Sequence, residues 1–438
     1  MRSPIPLLKP FVLAGRNLRL AQVLGRRWQR QVIFMVGGLI VGLAGVGLAL
    51  GADEAQRLYF SLLRWSPYAG FVVTPLGFGL AAYVTRRFFP NTQGSGIPQA
   101  IAARQIEASG DRAKLVGLRA AVGKILLTLA GLCFGASIGR EGPTVQVGAS
   151  VMFLIGRLSP RRQPGLILAG AAAGVAAAFN TPLAGIVFAI EEMSRSFDVR
   201  TSGLVIGAVI LAGLFSLATM GNYTYFGTTA AMLSPGLDWL AILVCGVVGG
   251  LAGGLFSRIL IATPTGIPGR AGAWIRAHAI QFAAACGLLV AVCGFLSDGA
   301  TSGTGYAYAR ELVHSHHSLM FIFAPLKFIA TTLSAISGLP GGIFSPSLSV
   351  GAGIGADLAQ LFPAAPLSAI VLIGMVSYFA GVVQAPITSF VIVSEMTDNH
   401  AMLLPLMAAA LIATASSKLI CRDGVYHALS HRFLHPEE

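Results

Sequence analysis

Charge is what this sequence has least of. Only 11% of its 438 residues are Asp, Glu, Lys or Arg, and the 17 acids are outnumbered by 30 bases. A soluble domain carries about 25% charged residues. With less than half that share, 55% hydrophobic residues and a mean hydropathy of +0.75, the ordinary soluble classes are excluded. Cysteine is also scarce. Cys133, Cys245, Cys286 and Cys293 sit in apolar sequence, Cys421 lies near the end, and the odd total of 5 gives neither a disulfide framework nor zinc-ligand spacing. There is no Walker-type glycine loop ending in Lys-Ser/Thr, no nucleophile elbow and no metal-spaced cluster, which excludes ATP-driven transport and intramembrane proteolysis. No enzymatic activity, metal or cofactor is therefore expected. His314, His316 and His317 follow Arg310 and Glu311 in a polar connection and read as a solvated loop.

What the chain does have is one apolar run after another. Stretches near the roughly 17 to 25 residues that cross a bilayer occur at Val32–Ala52, Ala69–Val84, Leu115–Ile138, Leu166–Ile190, Gly203–Met220, Leu237–Ile261, Phe282–Leu296, Leu319–Ile336, Leu367–Val393 and Met402–Leu419. The fold class is an all-α polytopic membrane protein, and the lipid bilayer is its first partner. Arg2, Lys9, Arg16, Arg19, Arg26, Arg27 and Arg30 precede the first run without an acid among them, and Lys418, Arg422 and Arg432 close the last. The positive-inside rule places both ends in the cytoplasm, with further cytoplasmic turns at Arg157, Arg161 and Arg162 and at Arg195 and Arg200. The net charge of +13 is thus a matter of topology, since nucleic-acid binding would need a basic folded domain. The first apolar run is long enough to stay as an anchor, so no cleavable signal is expected.

Three breaks interrupt the apolar sequence with one grammar, glycines followed by a proline. They are Gly94-Ser95-Gly96-Ile97-Pro98, Gly139-Arg140-Glu141-Gly142-Pro143 and Gly341-Gly342-Ile343-Phe344-Ser345-Pro346. Proline suits the first turn of a helix and glycine the turn before it, so each break predicts a helix start. At membrane depth, the free N–H groups and positive dipole end of such a start suit an anion. The breaks also recur by repetition. Pro143 and Pro182 are 39 residues apart, Pro346 and Pro386 are 40 apart, and both second helices end in Glu-Met, at Glu192-Met193 and Glu395-Met396. Two repeats with broken helices at matching places point to a midplane site between them, and the halves are expected to be inverted. The predicted organisation is a basic cytoplasmic segment over 1–31, a first repeat over 32–221, a connection acting as a hinge over 222–238, a second repeat over 239–426 and a cytoplasmic tail over 427–438.

Several residues stand out chemically. Ser95, between Gly94 and Gly96, either caps its own helix or donates to an anion. Glu141 follows an apolar run, where a bare carboxylate is costly and a functional role is the default. It would compete with an anion for the same positive helix start. Glu191 and Glu192 end an apolar helix, and one of them reads as a solvated helix end. Ile343 and Phe344 offer backbone N–H groups or core packing, and Tyr426 an interfacial anchor. Asp53, Glu54, Glu107 and Asp111 read as solvated loop acids, Glu395 as structural, and Lys124 as its buried partner; Asp357 has no evident role.

Taken together, the three breaks in this order, the internal repeat, Glu192 and Tyr426 resemble the signature of the CLC family of chloride channels and proton-coupled chloride antiporters. The resemblance runs from about Ala69 to Tyr426. It implies a homodimer with one pore per subunit, built from tilted and re-entrant helices. It makes Ser95, with Gly94 and Gly96, and Tyr426, with the Ile343 and Phe344 amides, the chloride site; relatives tuned to nitrate tend to carry proline in place of this serine. Glu141 becomes the external gating glutamate and Glu192 the internal proton-transfer glutamate, which channel members generally lack, with Glu191 helping to orient it. The expected function is secondary-active exchange of chloride for protons across a bacterial inner membrane. A passive voltage- or pH-gated chloride channel of the same fold is the alternative, and a non-transporting scaffold is disfavoured by the two acids. No domain follows Glu438, so nucleotide regulation is not expected.

Overall fold

In the computed structural model, the residues described are 9–194, 199–221, 224–234, 236–266, 269–314 and 321–434. His316, His317 and Arg195 fall outside them, as do the side chains of the basic N-terminal segment. The chain is helical almost throughout. In order the helices are α1 Lys9–Trp65, α2 Gly70–Phe88, α3 Ile97–Gln105, α4 Ser109–Val116, α5 Leu118–Cys133, α6 Glu141–Gly156, α7 Gln163–Phe179, α8 Pro182–Phe188, α9 Val199–Met220, α10 Leu240–Gly266, α11 Gly269–Ala277, α12 Ala279–Leu296, α13 Tyr306–His314, α14 Phe323–Ile336, α15 Phe344–Leu358, α16 Leu367–Val383, α17 Pro386–Thr397, α18 Leu403–Lys418 and α19 Val425–Leu434. All three predicted helix starts are present, at Ile97, Glu141 and Phe344.

Not every apolar run is a span. Six helical stretches among the described residues are long and apolar enough to cross a membrane. The runs 166–190 and 367–393 instead break into α7 and α8 and into α16 and α17. Each break falls at a residue in left-handed conformation, Asn180 (φ 56°) and Gln384 (φ 59°), two residues before a proline. The proline cannot continue the preceding helix and starts the next one. Both α7 and α16 are buried nearly all round, which is how a helix that is apolar on every face must sit. They lie inside the protein rather than against lipid. Small residues permit this. Gly148 of α6 opposes Gly170 of α7 so closely that a methyl group on either would strike the other's carbonyl oxygen, and Gly351 of α15 opposes Gly374 of α16 in the same way.

Two observations fix how the halves are related. Gly139 and Gly342, equivalent positions in the repeat, form an antiparallel bridge and exchange both backbone hydrogen bonds, at 2.6 and 2.7 Å. An antiparallel pairing of a position with its own equivalent lies on a two-fold axis, the symmetry that inverted repeats require. The second observation concerns Glu395, which the Glu-Met ends matched with Glu192; counted from Pro182 and Pro386 its equivalent is instead Glu191. Glu395 accepts the Leu183 and Ala184 N–H groups at 3.1 and 2.6 Å, and Glu191 accepts those of Ile387 and Thr388 at 3.0 and 2.6 Å. Each repeat's acid caps the first turn of the other repeat's helix, where the orphan donors and positive dipole end lie. Glu395 is therefore structural, as expected. Glu191 is not an aid to Glu192, because its carboxylate is fully engaged by α17. The expected pairing of Lys124 with Glu395 also fails, since Glu395 is held by backbone N–H groups while the lysine lies elsewhere.

The described residues of the connection between the repeats include a packed stretch at 225–229. Phe226 N–H donates to Met396 O at 3.0 Å, Thr229 N–H to Thr397 O at 3.1 Å, and Tyr225 and Phe226 are buried. Asp53 and Glu54 are not loop acids but lie within α1.

Candidate functional site

The loops that start α3, α6 and α15 converge on one point. Gly94 bridges to Pro340, with Gly94 N–H donating to Leu339 O at 3.1 Å and Gly341 N–H to Gly94 O at 3.0 Å, while Gly139 bridges to Gly342. Gly94 (φ 67°) and Gly96 (φ 98°) take backbone conformations that other residues adopt only at a cost. Gly142 is required by space. A methyl group there would strike Ser95 Oγ and lie 2.7 Å from Ser95 O and 3.3 Å from Gly342 Cα. Three helix starts thus aim their free N–H groups into one buried region.

Ser95 is buried at the mouth of α3, and Tyr426, in the first turn of α19, is fully buried with its hydroxyl facing Ser95. Neither hydroxyl makes a hydrogen bond of ordinary geometry among the described residues. Buried hydroxyls are ordinarily satisfied, and leaving one unpaired costs about 1–3 kcal/mol. Phe344 walls the same space. Its ring stacks on Tyr426 at 6.4 Å between centroids and packs on Phe379 at 4.4 Å and Phe179 at 5.3 Å, while Ile343 forms the N-cap of α15. Both readings of these two residues therefore meet: their side chains are core and their amides belong to the helix start.

Glu141 is the first residue of α6 and has no solvent exposure. Its Oε1 accepts a short hydrogen bond from Ser345 Oγ, on the equivalent helix of the other repeat, and a long one from the Tyr225 hydroxyl at 3.5 Å; Oε2 is unmatched. The neighbouring Arg140 turns the other way. Its Nη1 donates to Ala49 O and Asp53 Oδ1, each at 2.7 Å, and its guanidinium stands 5.8 Å from the Tyr225 ring centroid. Asp53 is thus an anchor for the arginine beside Glu141. Glu192 is a second buried acid, and both it and Glu141 act electrostatically on the Tyr426 hydroxyl. A single π-helical stretch, Ala189–Ser194, carries Glu192, a geometry that recurs at functional sites. Arg104 pins that stretch by donating to Met193 O at 2.8 Å and Ser194 Oγ at 2.9 Å.

The structure therefore gathers Gly94, Ser95, Gly96, Glu141, Ile343, Phe344 and Tyr426 around the meeting helix starts, with Glu192 buried near Tyr426, whereas Glu191 and Glu395 are engaged elsewhere. It adds others. Lys124 is fully buried and donates to Thr92 O at 2.5 Å and Gly94 O at 2.8 Å, so its amino group braces the Ser95 loop. Lys327, its equivalent 203 residues on, donates to Thr301 O and Gly303 O, each at 2.9 Å, and braces a second loop of the same design, Gly303-Thr304-Gly305. Neither lysine forms an ion pair with a carboxylate among the described residues. Extending the repeat offset from Lys124 would have found Lys327 in the sequence. Nothing local would have found Tyr225 or Ser345.

Comparison with known proteins agrees with this architecture. The sequence profile of the family described as "Voltage gated chloride channel" matches residues 77–418. The chain is 33% identical to the H(+)/Cl(-) exchange transporter ClcA of Yersinia pestis bv. Antiqua, with 98% of this chain and 93% of that protein covered. It is 31% identical to the transporter of the same name from Salmonella typhimurium, covering 92% and 89%. Its fold superposes on the crystal structure of a slow cyanobacterial Cl-/H+ antiporter with a TM-score of 0.78 and 24% identity, over 93% of this chain and 98% of that one. A CLC-type fluoride/proton antiporter gives a TM-score of 0.76 at 21% identity, over 91% and 97%. With its profile matched over most of the length and its three broken-helix starts meeting at one buried point, the chain belongs to the CLC family of voltage gated chloride channels and transporters.

Proposed function

We propose that this membrane-integral protein is a secondary-active antiporter that moves chloride in exchange for protons. The observation that carries the chloride half is the pair of neighbouring buried hydroxyls, Ser95 and Tyr426, neither of which makes a hydrogen bond of ordinary geometry among the described residues. A halide between them accepts from both, in a field set by helix starts. The second repeat supplies an internal control. There Thr304 stands at the serine's equivalent place, and its N–H and hydroxyl both donate to Gln56 Oε1, at 3.0 and 3.3 Å. A protein oxygen fills the role in one half, and a transported anion fills it in the other.

The proton half rests on the two acids. Glu141 sits at a positive helix start that also suits an anion, so ionised it blocks the path and protonated it releases it. Glu192, a second buried acid, passes protons to the other side. The relatives named as H(+)/Cl(-) exchange transporters support this reading. We extend it to a homodimer in a bacterial inner membrane, with both termini and Glu192 facing the cytoplasm. The test is to seal the purified protein in liposomes and record both ions together. An imposed chloride gradient drives protons uphill through the wild-type protein, and Glu192→Gln abolishes the proton current. Chloride movement without proton movement in the wild type leaves only the channel.

A further inference from the structure

Glu192 needs a route to water, because its side chain is only 3% exposed. Next to it lies an open cleft of about 500 Å³ lined by Arg104, Gln105, Met193, Ser194, His427 and His431 among others. Glu192 is not among the residues lining the cleft. His427 stands between the two. Its ring lines the cleft and is 14% exposed, and its Nε2 donates to the Glu192 carbonyl oxygen at 2.7 Å with the Glu192 Oε1 at 3.9 Å. It is also the residue after Tyr426, so the helix that supplies a hydroxyl to the anion region supplies this imidazole to the acid.

We propose that His427 relays protons between this cleft and Glu192, an inference that rests on the antiport reading above. Imidazole suits the task because one ring nitrogen gains a proton as the other gives one up. A hydronium ion in the cleft protonates Nδ1. The Nε2–H bond then breaks as its proton passes to a carboxylate oxygen of Glu192, which needs only a small turn of the carboxylate to close 3.9 Å to hydrogen-bond length. The ring is left neutral, with its proton on Nδ1. Exchange with cleft water, one proton lost from Nδ1 and one gained at Nε2, resets it. Outward transfer runs through the same steps in reverse. Arg104, which faces the cleft and grips Met193 O and Ser194 Oγ, keeps the π-helical stretch in register with the ring. Arg104 and His431 are the other titratable side chains lining the cleft, and Tyr426 is the further titratable group under the electrostatic influence of Glu192.

Two substitutions separate relay from support. Glutamine at 427 retains a side-chain N–H that donates to the Glu192 carbonyl but cannot accept and pass a proton; alanine retains neither property. In liposomes recording both ions, the relay requires His427→Gln and His427→Ala each to lower the proton-to-chloride ratio. The proton flux should fall by about 10²-fold, the low end of what a positioned proton-transfer group contributes. If His427→Gln restores the ratio that His427→Ala loses, the residue only positions Glu192 and the relay is wrong. An unchanged ratio in both variants overturns it equally. Glu192→Gln, run alongside, keeps the two failures apart: if it exchanges protons normally, the fault lies in the role given to Glu192 itself.

Discussion

Adding a single methyl group at Gly139 should open the gate without touching the glutamate. An alanine Cβ there would land on Glu141 Oε2 and lie 3.1 Å from Pro346 Cδ. Gly139 has no left-handed backbone to relieve, and its bridge to Gly342 uses only backbone atoms, so helix geometry survives. The group that yields is the flexible end of the Glu141 side chain. Moving it breaks the Ser345 hydrogen bond to Oε1. A hydrogen bond to a charged group contributes about 1.5–3 kcal/mol, so the closed-to-open ratio falls roughly 10- to 150-fold. Chloride efflux from liposomes at neutral pH should therefore rise toward its value in acid, the pH dependence should flatten, and proton coupling should weaken. Gly47→Ala serves as the control, because nothing lies within 4 Å of its added carbon. If Gly139→Ala kept the wild-type pH profile and coupling, Glu141 would not be gating from the place where the structure puts it.

Ser95→Pro removes one of the two hydroxyls that face each other and alters the loop braced by Lys124. Preference should move from chloride toward nitrate in competition flux assays, and unchanged selectivity would make Ser95 a simple helix cap. The reciprocal caps give a stability prediction. Glu191→Ala and Glu395→Ala should each cost about 1–2 kcal/mol, as loss of an N-terminal cap does. Glu191→Ala should cost more, because Glu191 also accepts from Thr388 Oγ1 at 2.7 Å. Thermal midpoints of the detergent-solubilised protein check the ranking. A Glu191 variant that unfolds normally but loses proton coupling would return that residue to the proton path.

Much of the site was legible because its grammar is backbone grammar. Glycine before proline after an apolar run specifies a helix start wherever it occurs, so Ser95, Glu141, Ile343 and Phe344 could be placed by position alone. The repeat was legible for the same reason, through Pro143 and Pro182 against Pro346 and Pro386. What stayed hidden depends on which side chains meet across the two-fold. Glu191 looks like a companion of Glu192 because they are adjacent, yet a residue and its neighbour on a helical stretch point in different directions. One faces α17 and the other faces His427. Lys124 looks like a partner for a buried acid, but carbonyl oxygens satisfy it. The runs 166–190 and 367–393 read as spans because apolarity does not distinguish lipid from protein interior. The glycines that pack α6 on α7 and α15 on α16 were the available sign.

The two-fold also separates scaffold from function. Positions that hold the fold are alike in both halves: Gly139 and Gly342 form the bridge, Lys124 and Lys327 brace equivalent loops, and Glu191 and Glu395 cap each other's helices. Positions assigned to transport differ. Glu141 is matched by Phe344, and Glu192 by Met396, so each acid has an apolar counterpart. Ser95 is matched by Thr304, whose donors Gln56 has already taken. Two symmetric acids at the bridge would sit beside one another and repel, whereas one acid and one phenyl ring leave a single positive region for a carboxylate or a halide to occupy. Competition between proton and anion thus needs the symmetry of the scaffold to bring the helix starts together and its breaking at Glu141 and Glu192 to give the path a direction.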